Sequence, residues 1–387
     1  MKEGWSYKKI KEVGKVIGGT TPSTSNPDFW GGNLCWISPA ELHGEHYLYD
    51  SVKKITHKAV DAKKLKELPV GTVILSSRAP IGKLTINKTP MYCNQGFKCI
   101  VCGSELYNEY LYWWLYGKKD YLNSLGKGAT FPEISKTVVE DIVIPVAPME
   151  EQHSIVSRLD SAFSHIDALK ANAEKQLNEA RKLFQAELTE CMKPKEGWEE
   201  KKIGDVFQTY AGGTPLKSGK GYYEGGTIPW IRSGEVCQMY IRDCEMCITE
   251  EGMKNSSAKY YPVDTILVAM YGATAAQVGI LKFEATSNQA VCGILPHKDF
   301  IPEYIYYWFT NIQKDLAAQA QGGAQPNLSQ VKIKKVSISY PSRTIQHSIV
   351  SHLDSLSSTI RKLEELQRKT LAECDALKQA MLREVFE

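Results

Sequence analysis

Residues Gln152-His-Ser-Ile-Val-Ser-Arg-Leu-Asp160 return almost unchanged as Gln346-His-Ser-Ile-Val-Ser-His-Leu-Asp354, an offset of 194. A chain that writes one such stretch twice, half its length apart, is constrained to fold as a doubled unit. The surroundings repeat too. Gly18-Gly-Thr20 matches Gly212-Gly-Thr214, Trp36-Ile37 matches Trp230-Ile231, Asn94-Gln95 matches Asn288-Gln289, and Glu109-Tyr110 matches Glu303-Tyr304. Gly4-Trp5 and Gly197-Trp198 stand 193 apart, which places a one-residue change before the glycines. Continued past the end of the chain, the offset carries Lys195-Glu-Gly-Trp198 onto Lys2-Glu-Gly-Trp5. The repeat therefore closes on itself, and a closed repeat needs both chain ends at one place.

Each copy of the repeated stretch opens a long run without Pro or Gly, Glu150 to Met192 and Ile345 to Glu387. In the second run Ile349, Leu353, Leu356, Ile360, Leu363, Gln367, Thr370, Cys374, Leu377 and Met381 follow alternating steps of four and three, the spacing of a heptad seam. The first run gives Ile155, Leu159, Ala162, Ile166, Leu169, Ala173, Gln176, Ala180, Leu183 and Glu187 at the same steps. Two helices of about 60 Å follow at 1.5 Å per residue. Neither seam can bury itself alone, so the two are expected to pack on each other, antiparallel.

Between the helices lie two lobes that read as mixed strand and helix. Thr72-Val-Ile-Leu75, Thr265-Ile-Leu-Val-Ala269, Lys98-Cys-Ile-Val101 and Val331 to Ser339 are short runs with β-branched residues, expected as buried strands. Glu109 to Leu115 and Glu303 to Phe309 read as aromatic helices that pack on each lobe's core. The expected order is lobe 1–147, central helix 148–193, lobe 194–341 and terminal helix 342–387. In class this is α+β: two globular mixed α/β domains joined by two long antiparallel coiled-coil helices, pseudo-two-fold and circularly arranged.

No run approaches a membrane span and no signal peptide opens the chain, so a cytoplasmic protein without a membrane partner is expected. Ten cysteines without regular spacing fit reduced thiols. Net charge is only +3, but residues 1–147 hold 19 Lys+Arg against 14 Asp+Glu. A basic lobe permits nucleic-acid binding without requiring it. Cys99/Cys102 and Cys244/Cys247 have zinc-like spacing, yet they fall at non-equivalent points of the repeat, and a strand would turn Cys99 and Cys102 to opposite faces. Buried thiols explain them better, and no metal site is expected.

The doubled motifs (the Gly-Trp start, the Gly-Gly-Thr stretch, the Trp-Ile strand, the Asn-Gln pair and the Gln-x-x-Ile-Val-x-x-Leu-Asp helix entry) resemble the specificity subunit of Type I restriction–modification enzymes over essentially the whole chain. The resemblance implies target-recognition domains that each read one half of a split duplex DNA sequence. It also implies helices that set the spacing and dock two methyltransferase subunits, with translocating endonuclease subunits in the full complex. S-adenosylmethionine, ATP and Mg are then expected on those partners, and no cofactor on this chain. Two modules reading one duplex sit about 34–36 Å apart, a separation such helices can hold. No amino-methyltransferase tetrapeptide and no G-x-x-x-x-G-K-[ST] loop occurs, so the chain itself is expected not to be an enzyme. The alternative is a two-lobed adaptor on a coiled-coil strut that binds a protein or glycan.

Base reading needs side chains that pair with groove edges, and backbone-lined loops that approach phosphates. The candidates in the first lobe are Thr20, Thr21, Ser23, Ser77, Arg78, Lys83, Lys127 and Thr130. In the second lobe they are Thr214, Lys217, Lys220, Arg232, Ser233, Tyr271, Thr274, Gln325 and Asn327. Arg78 and Arg232 lead them, although a surface ion pair explains either arginine nearly as well. Asn94-Gln95 and Asn288-Gln289 recur in lobes that should read different sequences, which points to a shared backbone role such as capping a turn.

Overall fold

A computed structural model of the chain describes residues 3–128, 132–219, 221–319 and 327–387. Contacts divide it into two units, Met1–Ala173 with Arg368–Glu387, and Glu174–Gln367. The central helix, Met149–Met192, and the terminal helix, Arg343–Phe386, each contribute to both. Among the described residues, no helix is long and apolar enough to cross a membrane.

Each unit is built on a five-stranded sheet of the same order. In the first unit strands Gly14–Gly18, Phe97–Cys102, Val73–Ser76, Leu84–Asn87 and Tyr47–Leu48 lie side by side, and in the second Thr209–Ala211, Val291–Ile294, Ile266–Ala269, Val278–Leu281 and Tyr240–Ile241 do. The middle strands are buried on both faces, which is why they read as unbroken apolar runs. Val73 and Leu75 face the aromatic helix Asn108–Gly117, while Ile74 points to the opposite core with Ile37, Met91 and Phe97. The aromatic helices are core elements in both units, as their apolar spacing requires; Tyr110 and Tyr304 are fully buried. One expected strand is different. Gln330–Lys334 is a helix, started by Ser329, whose hydroxyl accepts from Lys332 N, and only Ser337–Tyr340 is extended.

The repeated helix entry ties each lobe to its helix. Gln152 is fully buried; its Oε1 accepts from Tyr107 N at 2.8 Å and its Nε2 donates to Glu105 O and Ala147 O at 2.9 and 2.8 Å. Gln346 repeats this with Ile301 N, Asp299 O and Pro341 O, each at 3.0 Å. Two turns on, Asp160 accepts from Trp113 Nε1 and Asp354 from Tyr307 OH, at equivalent places on the two aromatic helices. Burial first, and then Asp354, raises the Tyr307 hydroxyl above its ordinary range and keeps it a donor. The motif is thus a docking device, and its Gln and Asp are its two hydrogen-bonding ends.

Both helices run antiparallel within each unit. Asp167 pairs with Lys378 at 2.5 Å and Lys170 with Asp375 at 2.8 Å in the first; Arg181 pairs with Glu364 at 2.6 Å in the second. Ile155, Leu159, Ile166 and Leu353 are buried, and Ile349, Leu356, Ile360 and Leu363 half-buried, as the heptad reading expects. Leu169 and Leu377 are corrections: they are 58% and 51% exposed. The inward row of the central helix keeps the expected Ile166, Ala173 and Ala180, but Phe163, Lys170, Leu177 and Phe184 take the places expected of Ala162, Leu169, Gln176 and Leu183, one position on. Phe163 takes the inward place because its ring meets Trp113 at 4.7 Å. Lys170 and Lys378 lie along the seam and send their ammonium groups to carboxylates at its edge. Leu353→Ala is accordingly expected to cost about 2–5 kcal/mol in denaturant unfolding, and Leu377→Ala no more than about 0.5 kcal/mol.

The closed repeat has a direct structural counterpart. In the first unit Trp5 and Phe386, near the two chain ends, both set their rings against Tyr110, at 6.3 and 5.2 Å. Glu387 pairs with Lys118 at 2.6 Å. In the second unit Trp198 meets Tyr304 in the same way at 6.5 Å, and Met192, the counterpart of Phe386, is buried in the same core. There the chain runs on from Met192 to Trp198; in the first unit the same junction is made by the chain ends.

Candidate nucleic-acid interface

The repeated residues in each lobe build one hydrogen-bonded corner. A Cβ on Gly19 would stand 2.1 Å from Asn94 O, and one on Gly212 would stand 2.2 Å from Asn288 O, so only glycine lets these segments pass. Trp36 Nε1 donates to Thr20 O and Trp230 Nε1 to Gly213 O. Asn94 Oδ1 accepts from Gly96 N at 2.8 Å and Asn288 Oδ1 from Ala290 N at 3.1 Å, so both Asn-Gln pairs cap a turn. Their glutamines then accept from a threonine, Thr21 to Gln95 and Thr214 to Gln289. These contacts align Gly19 with Gly212 and Thr21 with Thr214, an offset of 193. The one-residue change therefore falls after Pro22, between the glycines and Trp36, and not before the glycines.

The lobes part company beside this corner. In the first, Ile134 N donates to Ser77 O at 3.0 Å, which sets Arg78 against Glu133. Arg78 Nη1 lies 3.5 Å from Glu133 Oε2, and the other carboxylate oxygen takes Lys98 Nζ at 3.1 Å. Lys98, buried in strand Phe97–Cys102, also donates to Ser77 Oγ at 2.9 Å. A buried ammonium is costly unless such partners hydrogen-bond it. Arg78 stays 36% exposed and lines a cleft of about 640 Å³ with Pro39, Pro80, Ile81, Asn94 and Pro132.

In the second lobe the same backbone contact joins Leu328 N to Met270 O at 2.8 Å, and it sets Tyr271 beside Asn327. Tyr271 therefore occupies the place of Arg78, Asn327 that of Glu133, and buried Cys292 that of Lys98. One frame presents an arginine–glutamate pair in one lobe and a tyrosine–asparagine pair in the other. Tyr271 is 36% exposed, and Thr274 Oγ1 donates to its carbonyl at 3.3 Å.

The remaining candidates spread over several situations. Ser77 is fully buried and is a correction: it braces Lys98 and has no surface to offer. Lys83 Nζ is held by the carbonyls of Pro39 and Leu42 at 2.9 and 2.8 Å. Arg232 is bracketed by Glu235 and Glu245, at the start of the short helix Ser233–Glu235. Thr20, Ser23, Lys127 and Lys217 are exposed, and Lys127 pairs through its backbone with Glu133. Thr130, Lys220 and Gln325 lie outside the described residues. Sequence reasoning missed Lys98 and Glu133. A lone lysine within Phe97-Lys-Cys-Ile-Val101 is the signal, because a cation in a buried strand demands a carboxylate.

Of the two cysteine pairs only Cys99 is a buried core thiol; Cys102, Cys244 and Cys247 are half-buried. Cys99 Sγ lies 3.5 Å from Cys93 Sγ, and burial holds its thiol well above the ordinary range. Cys102 is pushed by burial to about 12.

A family model described as the type I restriction modification DNA specificity domain matches residues 2–179 and again residues 195–373. The MjaIX type I restriction enzyme specificity subunit of Methanocaldococcus jannaschii is 32% identical over 382 residues, covering 90% of this chain and 86% of that one. The EcoR124I/EcoR124II specificity subunit of Escherichia coli is 28% identical over 222 residues, 56% of this chain and 55% of that one. Among solved structures, a chain of a type I R-M system aligns with a TM-score of 0.81 at 18% identity, covering 100% of this chain and 98% of that one. The HsdS subunit from Thermoanaerobacter tengcongensis aligns with a TM-score of 0.63, also at 18% identity, over 100% and 97%.

Proposed function

The chain belongs to the type I restriction–modification DNA specificity family, and we propose that it reads a bipartite duplex target for such a system, one half with each lobe. The long helices carry the lobes at their spacing and dock two methyltransferase subunits, with a translocating endonuclease joining the full complex. The methyl donor, ATP and Mg belong to those subunits, and this chain contributes recognition without catalysis.

One observation carries the reading: Arg78 with Glu133 and Tyr271 with Asn327 stand at equivalent places on one shared frame. A frame held constant while its presented side chains differ suits two modules that read different sequences. Arg pairs bidentately with guanine and Asn with adenine, while Glu accepts from cytosine. The target is therefore asymmetric. Lys127, paired with Glu133, and Thr274, bonded to Tyr271 O, adjoin the two edges, and with Thr20, Ser23, Lys217, Arg232 and Ser233 they supply further phosphate or base contacts. Arg232 must exchange its two carboxylates for DNA to take part. Thr21 and Thr214, which satisfy Gln95 and Gln289, belong to the frame.

The test is selection of bound duplexes from a randomised pool by the full chain with its methyltransferase partners. Arg78→Ala should relax one half of the selected sequence and Asn327→Ala the other, each lowering affinity for the parent target by about 1–3 kcal/mol, or roughly 5–150-fold. Unchanged selection in both variants, or either variant altering both halves, counts against the reading.

A further inference from the structure

Near the end of the central helix, three donors of different chemistry converge that neither the repeat nor the DNA edges use. Glu187 and Cys191 lie one turn apart on one face of that helix, and His352 faces them from the third turn of the terminal helix. His352 Nε2 is 2.9 Å from Glu187 Oε1, Cys191 Sγ is 3.8 Å from the same oxygen, and all three donor atoms lie within 4.8 Å of one another. We propose that Glu187, Cys191 and His352 form a binding site for a borderline-soft divalent transition metal, zinc foremost, which clips the two helices together within the second unit.

Donor chemistry selects the ion. A thiolate and an imidazole favour zinc over magnesium or calcium, which take oxygen ligands. Bond lengths of about 2.0–2.3 Å around a tetrahedral zinc put neighbouring donors roughly 3.3–3.7 Å apart, close to the spacing here. Three protein ligands leave the fourth position for water.

The repeat supplies a second argument. The places of Glu187 and Cys191 are taken in the first unit by Met381 and Val385, which pack against the apolar core, and that of His352 by Arg158. The second unit has thus exchanged two apolar seam residues for a carboxylate and a thiol directed at an imidazole. A plain His–Glu ion pair accounts for two of the three groups but not for the thiol at the third corner. His352 is half-exposed, which leaves the ion a way in, while Cys191 packs at the edge of the core. A thiol binds the metal as the thiolate, so metal binding expels one proton from Cys191 Sγ to solvent as the metal–sulfur bond forms.

The test is titration of the reduced, metal-free full chain with Co(II), followed in the near ultraviolet. The expected result is a thiolate-to-cobalt charge-transfer band that saturates at one ion per chain and disappears when Zn(II) is added. Cys191→Ser should abolish the band. His352→Gln and Glu187→Gln should weaken binding by at least about 10–100-fold, since losing even a group behind a ligand costs that much. Both are changes on an exposed or half-exposed face and keep the test open should Cys191→Ser fail to fold. No band in the parent chain, or a band that persists in Cys191→Ser or in both other variants (cobalt held adventitiously by another cysteine), overturns the proposal. None of these outcomes depends on whether the chain binds DNA.

Discussion

Raising salt from about 50 to 200 mM should weaken binding of the chain to its target duplex by roughly 10³–10⁵-fold, provided 6–10 phosphates are contacted. Each phosphate neutralised by Lys or Arg releases condensed counterion, so the logarithm of affinity falls linearly with the logarithm of salt. The two lobes should contribute unequally. Residues 1–147 carry 19 Lys+Arg against 14 Asp+Glu, whereas residues 194–341 carry 15 of each. Lysine-to-glutamine changes at the exposed Lys127 should therefore lower the slope by about one, and lower affinity for all sequences alike. Fluorescence anisotropy across a salt series reads both effects. An affinity that moves by less than tenfold over this range would favour an adaptor that recognises something other than a polyanion.

The second large effect concerns folding. Gln152→Ala and Gln346→Ala should each cost roughly 3–6 kcal/mol in urea unfolding, because each leaves one N–H and two carbonyls without a partner where water does not reach. Both side chains are fully buried, and each makes all three hydrogen bonds that its amide directs inward. Gln176→Ala, on an exposed face of the central helix, is the control and should fall within about 0.5 kcal/mol of the parent. Gln152→Glu should be nearly as damaging as the alanine, since a carboxylate fits the space but cannot donate to Glu105 O and Ala147 O. A loss below about 1 kcal/mol for either alanine variant would remove the glutamines from their role as ties between lobe and helix.

The doubled helix entry illustrates what a sequence can and cannot show. That Gln152 and Gln346 open long helices is written in the absence of Pro and Gly and in the apolar period. Their partners, Tyr107 and Ile301, stand 45 residues upstream and leave no local trace. The same division runs through the seam. Its existence follows from steps of four and three, but the chosen row depends on Phe163 meeting Trp113 and on Lys378 reaching Asp167. A straight helix drifts by about 20° per heptad against a perfect 3.5 repeat, so neighbouring rows compete and the partner surface selects between them.

At the candidate reading edges the gap is widest. Arg78 was legible as a base reader by residue type alone, yet its equivalence to Tyr271 was not, because the offset is 194 at Trp36 and at Asn94 but 193 at Arg78 between them. Lys98 and Glu133 lie 35 residues apart and join only when strand Phe97–Cys102 brings the ammonium beneath the returning segment.

The linear code by itself determined the duplication, the closed order of the repeat, the two long helices, the buried strands and aromatic helices, and the turn-capping part of the Asn-Gln pairs. Each of these is a matter of local period or of identical residues recurring. Only the tertiary structure decided which helix row faces inward, which candidate cations are already held by carboxylates, which side chains replace one another between the lobes, and that Glu187, Cys191 and His352 meet. Those are contacts between residues far apart in the chain, where chain geometry and competing partners, not residue type, set the outcome.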